Sequence, residues 1–304
     1  MGLSSHQLHI FYTVAEKGSF SAAAASLHMT QPAVTMQVQS LEEYFGTKLF
    51  VRSTKKVELT EAGKTLLPYA RRSIELITET DAAMARFTQK LEGRLHLGAS
   101  MTIGEYILPR ILGPFSREYP NIHVSVKVIN TSQIVEELIS HQLTFGLVEA
   151  PVSHPELRSE AVMEDELMLI LPDGHPLLQW EEVPLDDALR YPFVLREKGS
   201  GTRQVMEEEL QERGISPLRM DIVMELGSTG AVKSAVEAGL GLSILSPTSV
   251  KHEVRLGVLH TRRIAGVRFK RQFYTIYVGS TILPISAVTF LSFLRDRDLT
   301  QWLL

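Results

Sequence analysis

Residues 11–50 read FYTVAEKGSFSAAAASLHMTQPAVTMQVQSLEEYFGTKLF. Leu8, Phe11, Tyr12 and Ala15 recur at helical spacing, and Gly18 ends that helix. Ser21 offers an N-cap for a second helix, Ala22 to Leu27, and His28 and Met29 make a short turn. Thr30 caps a third helix with Pro32 in its first turn, where a missing N–H costs nothing. That helix turns Val34, Val38, Leu41 and Phe45 inward and stops at Gly46. Helix, short helix, turn, then a helix with a polar leading end is the helix-turn-helix order. Residues 49–59 (LFVRSTKKVEL) follow as a β-hairpin with Ser53, Thr54 and Lys55 near its tip, a wing.

The outward residues of the third helix are Gln31, Thr35, Met36, Gln37 and Ser40. Glutamine pairs bidentately with adenine in the major groove, Thr and Ser bond several base edges, and Met contacts a thymine methyl. Arg52, Lys55 and Lys56 on the wing suit phosphates, which position a module without reading sequence. Residues 1–72 hold eight Lys/Arg against five Glu, a net +3 within a chain of net −4. A mildly basic head on an acidic body fits a local nucleic-acid contact rather than bulk binding. A helical bundle with no such role would share the apolar spacing, but not the polar leading edge beside a basic wing.

Working outward, residues 60–91 continue as one long helix. Leu67, Ala70, Ile74, Ile77, Asp81, Met84, Thr88 and Leu91 alternate at spacings of three and four, the seam of a coiled coil. A long helix between two domains has little of its own fold to cover it, so a homodimer through this seam is expected. Pro68 fits the first turns if the helix starts near residue 65, and otherwise interrupts it.

Beyond Gly93 the text changes to short β-branched runs alternating with amphipathic segments. Strands are expected at Arg94–Ala99, Ile122–Ile129, Phe145–Glu149, Leu167–Leu171, Pro192–Leu195, Met220–Leu226, Leu242–Leu245 and Phe273–Val278. Helices fall between them, at Ile103–Phe115, Ser132–His141, Thr202–Arg213 and Thr229–Ala238, with a closing one over Pro284–Asp298. This order argues for two β/α lobes built on mostly parallel sheets. Such a body takes ligands at the carboxyl ends of its strands, between the lobes. Ser100, Met101 and Thr102 lie there, as do Thr131 and Ser132, the run Gly199, Ser200, Gly201, Thr202, Arg203, and Thr229. Each group opens a helix, and converging helix N-termini favour a small anion. Any one of them alone would pass for an N-cap. Arg196 and Arg203 are further sources of charge.

The residues 11–50, with Arg52 and Leu59–Gly63, resemble the DNA-binding domain of LysR-type transcriptional regulators. The matching elements are the Gly18–Ser21 turn, Ala23, Ala24 and Leu27 of the second helix, Gln31–Pro32–Ala33, Leu41–Glu42 and Leu49–Phe50. The resemblance extends to the tail. Many members carry Ser-Arg near positions 35 and 36; this chain has Thr35 and Met36, one cation fewer. The resemblance implies residues 1–60 as a winged helix-turn-helix domain, 61–92 as a dimerising linker helix, and 93–304 as a two-lobed α/β effector domain similar to type 2 periplasmic binding proteins. The candidate DNA-binding set is then Ser21, Thr30, Gln31, Pro32, Ala33, Thr35, Met36, Gln37, Ser40, Arg52, Lys55 and Lys56. The expected partners are operator DNA with an inverted repeat, further copies of the chain up to a tetramer, and RNA polymerase. The expected role is a transcriptional activator governed by a small, anionic effector, without cofactor or metal.

Enzyme signatures fail on inspection. Gly63-Lys64-Thr65 mimics a phosphate loop, but its first glycine is replaced by Glu58. Gly239-Leu240-Gly241 starts a dinucleotide fingerprint that Ile244 breaks. The absence of cysteine removes thiolate chemistry, and the histidines are scattered. No apolar run is long enough for a membrane span, and the first twenty residues lack an export signal, so a cytoplasmic protein is expected. The other readings are a solute-binding protein, which shares the two-lobed body, and an α/β enzyme with an interaction domain.

Overall fold

The structure, a computed structural model, describes residues 3–52, 57–88 and 91–302. The chain divides into two compact units, residues 1–87 with 282–288, and residues 88–281 with 289–304.

The first unit opens with three helices, α1 (Ser5–Lys17), α2 (Phe20–Ser26) and α3 (Gln31–Phe45). Gly18 and Gly46 end α1 and α3 with φ of 58° and 65°, a left-handed backbone that glycine adopts without a Cβ penalty. Ile10, Phe11, Val14, Phe20, Val34, Val38 and Leu41 form the head's core. Two expectations need correction. The cap of α2 is Ser19, whose side chain accepts from the Ala22 N–H, not Ser21. Phe45 is exposed, because the helix turns its last residue past the core. The wing strands β1 (Phe50–Arg52) and β2 (Val57–Leu59) pair antiparallel. Buried Glu42 ties the wing to α3: its carboxylate accepts from the N–H groups of Leu49 (2.9 Å) and Phe50 (3.4 Å) and from Lys48 Nζ (2.6 Å). Burial pushes that carboxyl up, but these donors outweigh it and hold it below its ordinary range.

The linker helix α4 runs Glu61–Thr88, about 42 Å at 1.5 Å per residue. Pro68 therefore lies inside it, and the Lys64 carbonyl loses its helical donor. The expected seam splits in two. Ala70 and Ile74 are buried in the head's own core, with Leu66 and Leu67 packed against it. Tyr69, Leu76, Ile77 and Met84 remain exposed at 67%, 62%, 42% and 54%. At 100° per residue these four lie on one face, adjacent to the buried one. A linear heptad reading cannot tell which stripe the head itself covers. No helix among the described residues is long and apolar enough to cross a membrane.

The second unit follows as β3 (Gly93–Ala99), α5 (Leu108–Glu118), β4 (Ile122–Val128), α6 (Thr131–Ile139), β5 (Phe145–Val148) and β6 (Leu157–Pro172). Next come β7 (Glu182–Val183), α7 (Leu185–Ala188), β8 (Pro192–Arg196), α8 (Gly201–Glu212), β9 (Asp221–Leu226) and α9 (Thr229–Glu237). The chain closes with β10 (Ser243–Leu245), α10 (Pro247–Leu256), β11 (Leu259–Ile264), β12 (Phe269–Val278) and α11 (Ile285–Arg295). β3 lies parallel between β4 and β5, and β8 pairs parallel with β9. The two lobes are joined by β6 and β12, which pair antiparallel over most of their length. One end of that pair meets β5, the other meets β10 and β11. The expected mostly parallel sheet is thus mixed. Only the ends of these two strands were apolar enough to read; residues 157–166 (LRSEAVMEDE) are half solvated. The expected helix Ile103–Phe115 is also in two pieces, a wide turn at Ile103–Ile107 and then α5, because Pro109 has no N–H to continue the ladder. Phe115 stacks edge-on against Phe290 and Phe293 in the first lobe. Leu167, Leu169, Phe193, Leu195, Met206 and Phe269 fill the second.

Candidate DNA interface and effector cleft

On α3, Gln31, Pro32 and Met36 are exposed and Ala33, Thr35, Gln37 and Ser40 are half-buried. Three of the candidate hydroxyls have local duties. Thr30 accepts from the Ala33 N–H, as its cap role requires. Ser40 Oγ accepts from Gln7 Nε2 at 3.1 Å, fastening α3 to α1. Ser21 Oγ donates to Gln31 Oε1 at 3.2 Å. That last bond occupies the amide oxygen of Gln31 and leaves its NH2 directed away from Ser21, a donor available to a base acceptor. Gln39, outside the candidate set, is also exposed on this helix. Arg52 ends β1; Lys55 and Lys56 lie outside the described residues.

In the body, the helix starts do converge, and a side chain of the protein stands among them. Glu149, directly after β5, is 1% exposed. Its Oε1 accepts from Ser100 Oγ (2.9 Å) and the Thr102 N–H (2.8 Å). Its Oε2 accepts from Thr202 Oγ1 (2.6 Å) and Arg271 Nη1 (2.9 Å). Arg271 continues to Asp165: Nε donates at 2.8 Å, while Nη2 lies 2.7 Å away but off the hydrogen-bond axis, a contact of charge rather than direction. Burial alone would push the Glu149 carboxyl up; Arg271, then the bonds from Thr202, Ser100 and Thr102, overcome it and hold the group at about 2.

Outside this inner seat the two lobes touch again. Asn130 Nδ2 donates to Glu197 Oε1 at 3.3 Å, and the Ser132 N–H to the Gly199 carbonyl at 3.3 Å. Asn130, not Thr131, caps α6, and Ser228, not Thr229, caps α9. Thr229 Oγ1 instead accepts from Arg196 Nη1, and Arg196 pairs with Glu197. Arg203 pairs with Glu207 and Glu225, so neither arginine brings uncompensated charge to the cleft. Thr131 Oγ1 and Ser200 Oγ are buried and, among the described residues, have no hydrogen-bond partner. A buried hydroxyl left unbonded is costly, and two at neighbouring helix starts mark a place for polar atoms from elsewhere. Ser132, Lys198, Ser200, Arg203 and Gln204, with Glu207 and Glu208 on the α8 wall, line a cavity of 350 Å³ beside them. Met101, after β3, is half-buried. A larger cavity, 680 Å³, lies between α8 and the β6–β12 pair, but its six carboxylates suit no anion.

Glu149 and Arg271 were missed although each left a signal. Glu149 is a charge directly at the carboxyl end of an apolar strand, where ligands sit. Arg271 shares the period-two face of Phe269, Phe273 and Thr275, all buried.

A polar-faced recognition helix with a wing, and a two-lobed body whose cleft gathers hydroxyls and helix starts, define a DNA-binding regulator that senses a small molecule. The "LysR substrate binding domain" family matches residues 88–298, and the "Bacterial regulatory helix-turn-helix protein, lysR family" matches residues 5–64. The chain belongs to the LysR family of transcriptional regulators, which are not enzymes. It is 39% identical over 269 residues to a probable RuBisCO transcriptional regulator of Guillardia theta, covering 87% of this chain and 86% of that one. It is 34% identical over 293 residues to the HTH-type transcriptional activator CmpR of Synechocystis sp., covering 96% and 95%. Among solved structures, the CcmR regulatory domain of Synechocystis PCC6803 in complex with 2-PG aligns with a TM-score of 0.62 at 30% identity, covering 67% of this chain and 97% of that one.

Proposed function

We propose that this regulator reads an inverted-repeat operator with Gln31, Thr35, Met36 and Gln37, and is switched by a small anionic effector held between its lobes. The observation that carries the effector site is the pair of buried hydroxyls of Thr131 and Ser200 at neighbouring helix starts, unpartnered among the described residues. The helix starts around them favour negative charge, and Lys198 stands exposed at the rim. The complex of CcmR with 2-PG supports an anion of this class without naming the one used here. The likeness to the activator CmpR supports activation; in this reading the regulator acts in the cytoplasm through contact with RNA polymerase. A second copy of the chain covers the exposed stripe Tyr69, Leu76, Ile77 and Met84 of α4, and pairs of such dimers form a tetramer. Twofold pairing places two heads on half-sites about one helical turn apart. The wing residues Arg52, Lys55 and Lys56 contact phosphates.

The test is mass spectrometry of small molecules retained by purified protein, followed by calorimetry with each. Thr131→Val and Ser200→Ala each lower affinity for the retained anion and leave operator binding without effector intact. Affinities equal to wild type in both variants move the effector site elsewhere.

A further inference from the structure

We propose that Glu149 is a ligand the chain supplies to its own anion seat: it closes that seat to small carboxylates and fastens one lobe to the other. This rests on the reading of the cleft as the effector site and adds what fills its inner half.

A free carboxylate held between helix starts would need hydroxyls, a helix N-terminal N–H and a guanidinium. All of these are present, and all point at one side chain. Each carboxylate oxygen of Glu149 takes two donors: Ser100 Oγ and the Thr102 N–H on one, Thr202 Oγ1 and Arg271 Nη1 on the other. The lone-pair sites of the group are then filled. Ser100, Thr102 and Glu149 follow strands of the first lobe, whereas Thr202 opens α8 of the second, so the carboxylate bridges the lobes. The first turn of α8 is pressed onto the Glu149 stem: a Cβ on Gly201 would stand 3.0 Å from the Glu149 Cβ and 2.9 Å from Thr131 Oγ1.

The seat also refuses a second anion by charge. Glu149 and Asp165 share the single guanidinium of Arg271, so the buried cluster is already net negative. An entering carboxylate would meet like charge in a poorly screened site. The effector is accordingly recognised by the outer hydroxyls, and Glu149 decides which anions stay out.

Truncating Glu149 to alanine removes the atoms of an acetate ion, CH2 and COO−, and leaves their donors in place. Free acetate should therefore occupy the hole. The experiment is calorimetry and thermal melting of the full chain in sodium acetate against sodium chloride of equal ionic strength. Wild type is expected to bind no acetate. Glu149→Ala is expected to bind it with roughly millimolar affinity, well within the ceiling for a ligand of four heavy atoms, and to melt higher in acetate than in chloride. Adding Thr202→Val should weaken that binding several-fold. Glu149→Gln, which fills the seat without charge, should bind none. If Glu149→Ala is not soluble on expression, it is refolded from urea in the two salts; recovery in acetate alone supports the proposal. Failure in both salts overturns it, because an exchangeable ligand must be replaceable. Wild type binding acetate as tightly as Glu149→Ala, or folded Glu149→Ala gaining no affinity, also overturns it. Loss of effector response in Thr131→Val tests the outer site separately, so failure of the two readings can be told apart.

Discussion

Acid should weaken the effector body through Glu149, by an amount that can be worked out. Its carboxyl is held at about 2 in the folded chain against an ordinary value of 4.5. A depressed folded value means that the stabilisation is complete above the unfolded value and is lost as pH falls toward the folded one. The difference corresponds to about 3 kcal/mol in full, of which about 1 kcal/mol is gone by pH 3.5. Other carboxylates titrate in the same window, so the diagnostic quantity is the difference from Glu149→Gln, which has no proton to take up. Both tryptophans, Trp180 and Trp302, belong to the second unit, so their fluorescence follows unfolding of the body. Urea melts between pH 6 and 3.5 should show wild type losing about 1 kcal/mol more than the variant. With a slope of about 2–3 kcal/mol per molar, that is a midpoint shift of roughly 0.3–0.5 M. Parallel losses in the two proteins would mean that Glu149 is not held ionised by Arg271 and its hydroxyl donors.

Other perturbations separate the remaining assignments. Leu76→Asp with Ile77→Asp should give monomers by light scattering, whereas Ile74→Asp should lower the melting temperature of the head, because Ile74 belongs to the head's own core. Gly63→Ala should destabilise the head by about 1–3 kcal/mol, since a Cβ there would stand 2.2 Å from the Leu49 carbonyl oxygen; chemical denaturation checks it. Arg52→Ala should weaken every DNA sequence alike and flatten the salt dependence of binding, measured by fluorescence anisotropy.

Most of the fold is readable in the sequence because its signals are local. Thr30, Pro32 and Gly46 bracket α3 through backbone chemistry that needs no tertiary partner. The apolar periods of β3, β4 and β5 likewise identify the first lobe. What stayed hidden depends on distant residues. The charged half of β6 pairs with β12 across about a hundred residues, and α10 and β11 carry too few apolar positions to stand out. The cleft hydroxyls were found by their places after strands. Their partner was not, because the bond from Thr202 to Glu149 spans 53 residues and no spacing rule links them. Cap chemistry misleads in both units: Ser21, Thr131 and Thr229 resemble caps, yet each lies within its helix, and Ser21 and Thr229 serve other side chains.

The most direct measurement of DNA reading by this chain is selection of bound sequences from a pool of random duplexes by the full-length protein. The expected result is enrichment of an inverted repeat with half-site centres about one helical turn apart. In the same selection, Gln31→Ala should relax preference at one base pair of each half-site, a loss of roughly 1–3 kcal/mol in discrimination. A bound pool as random as the input, or one that Gln31→Ala leaves unchanged at every position, would contradict it.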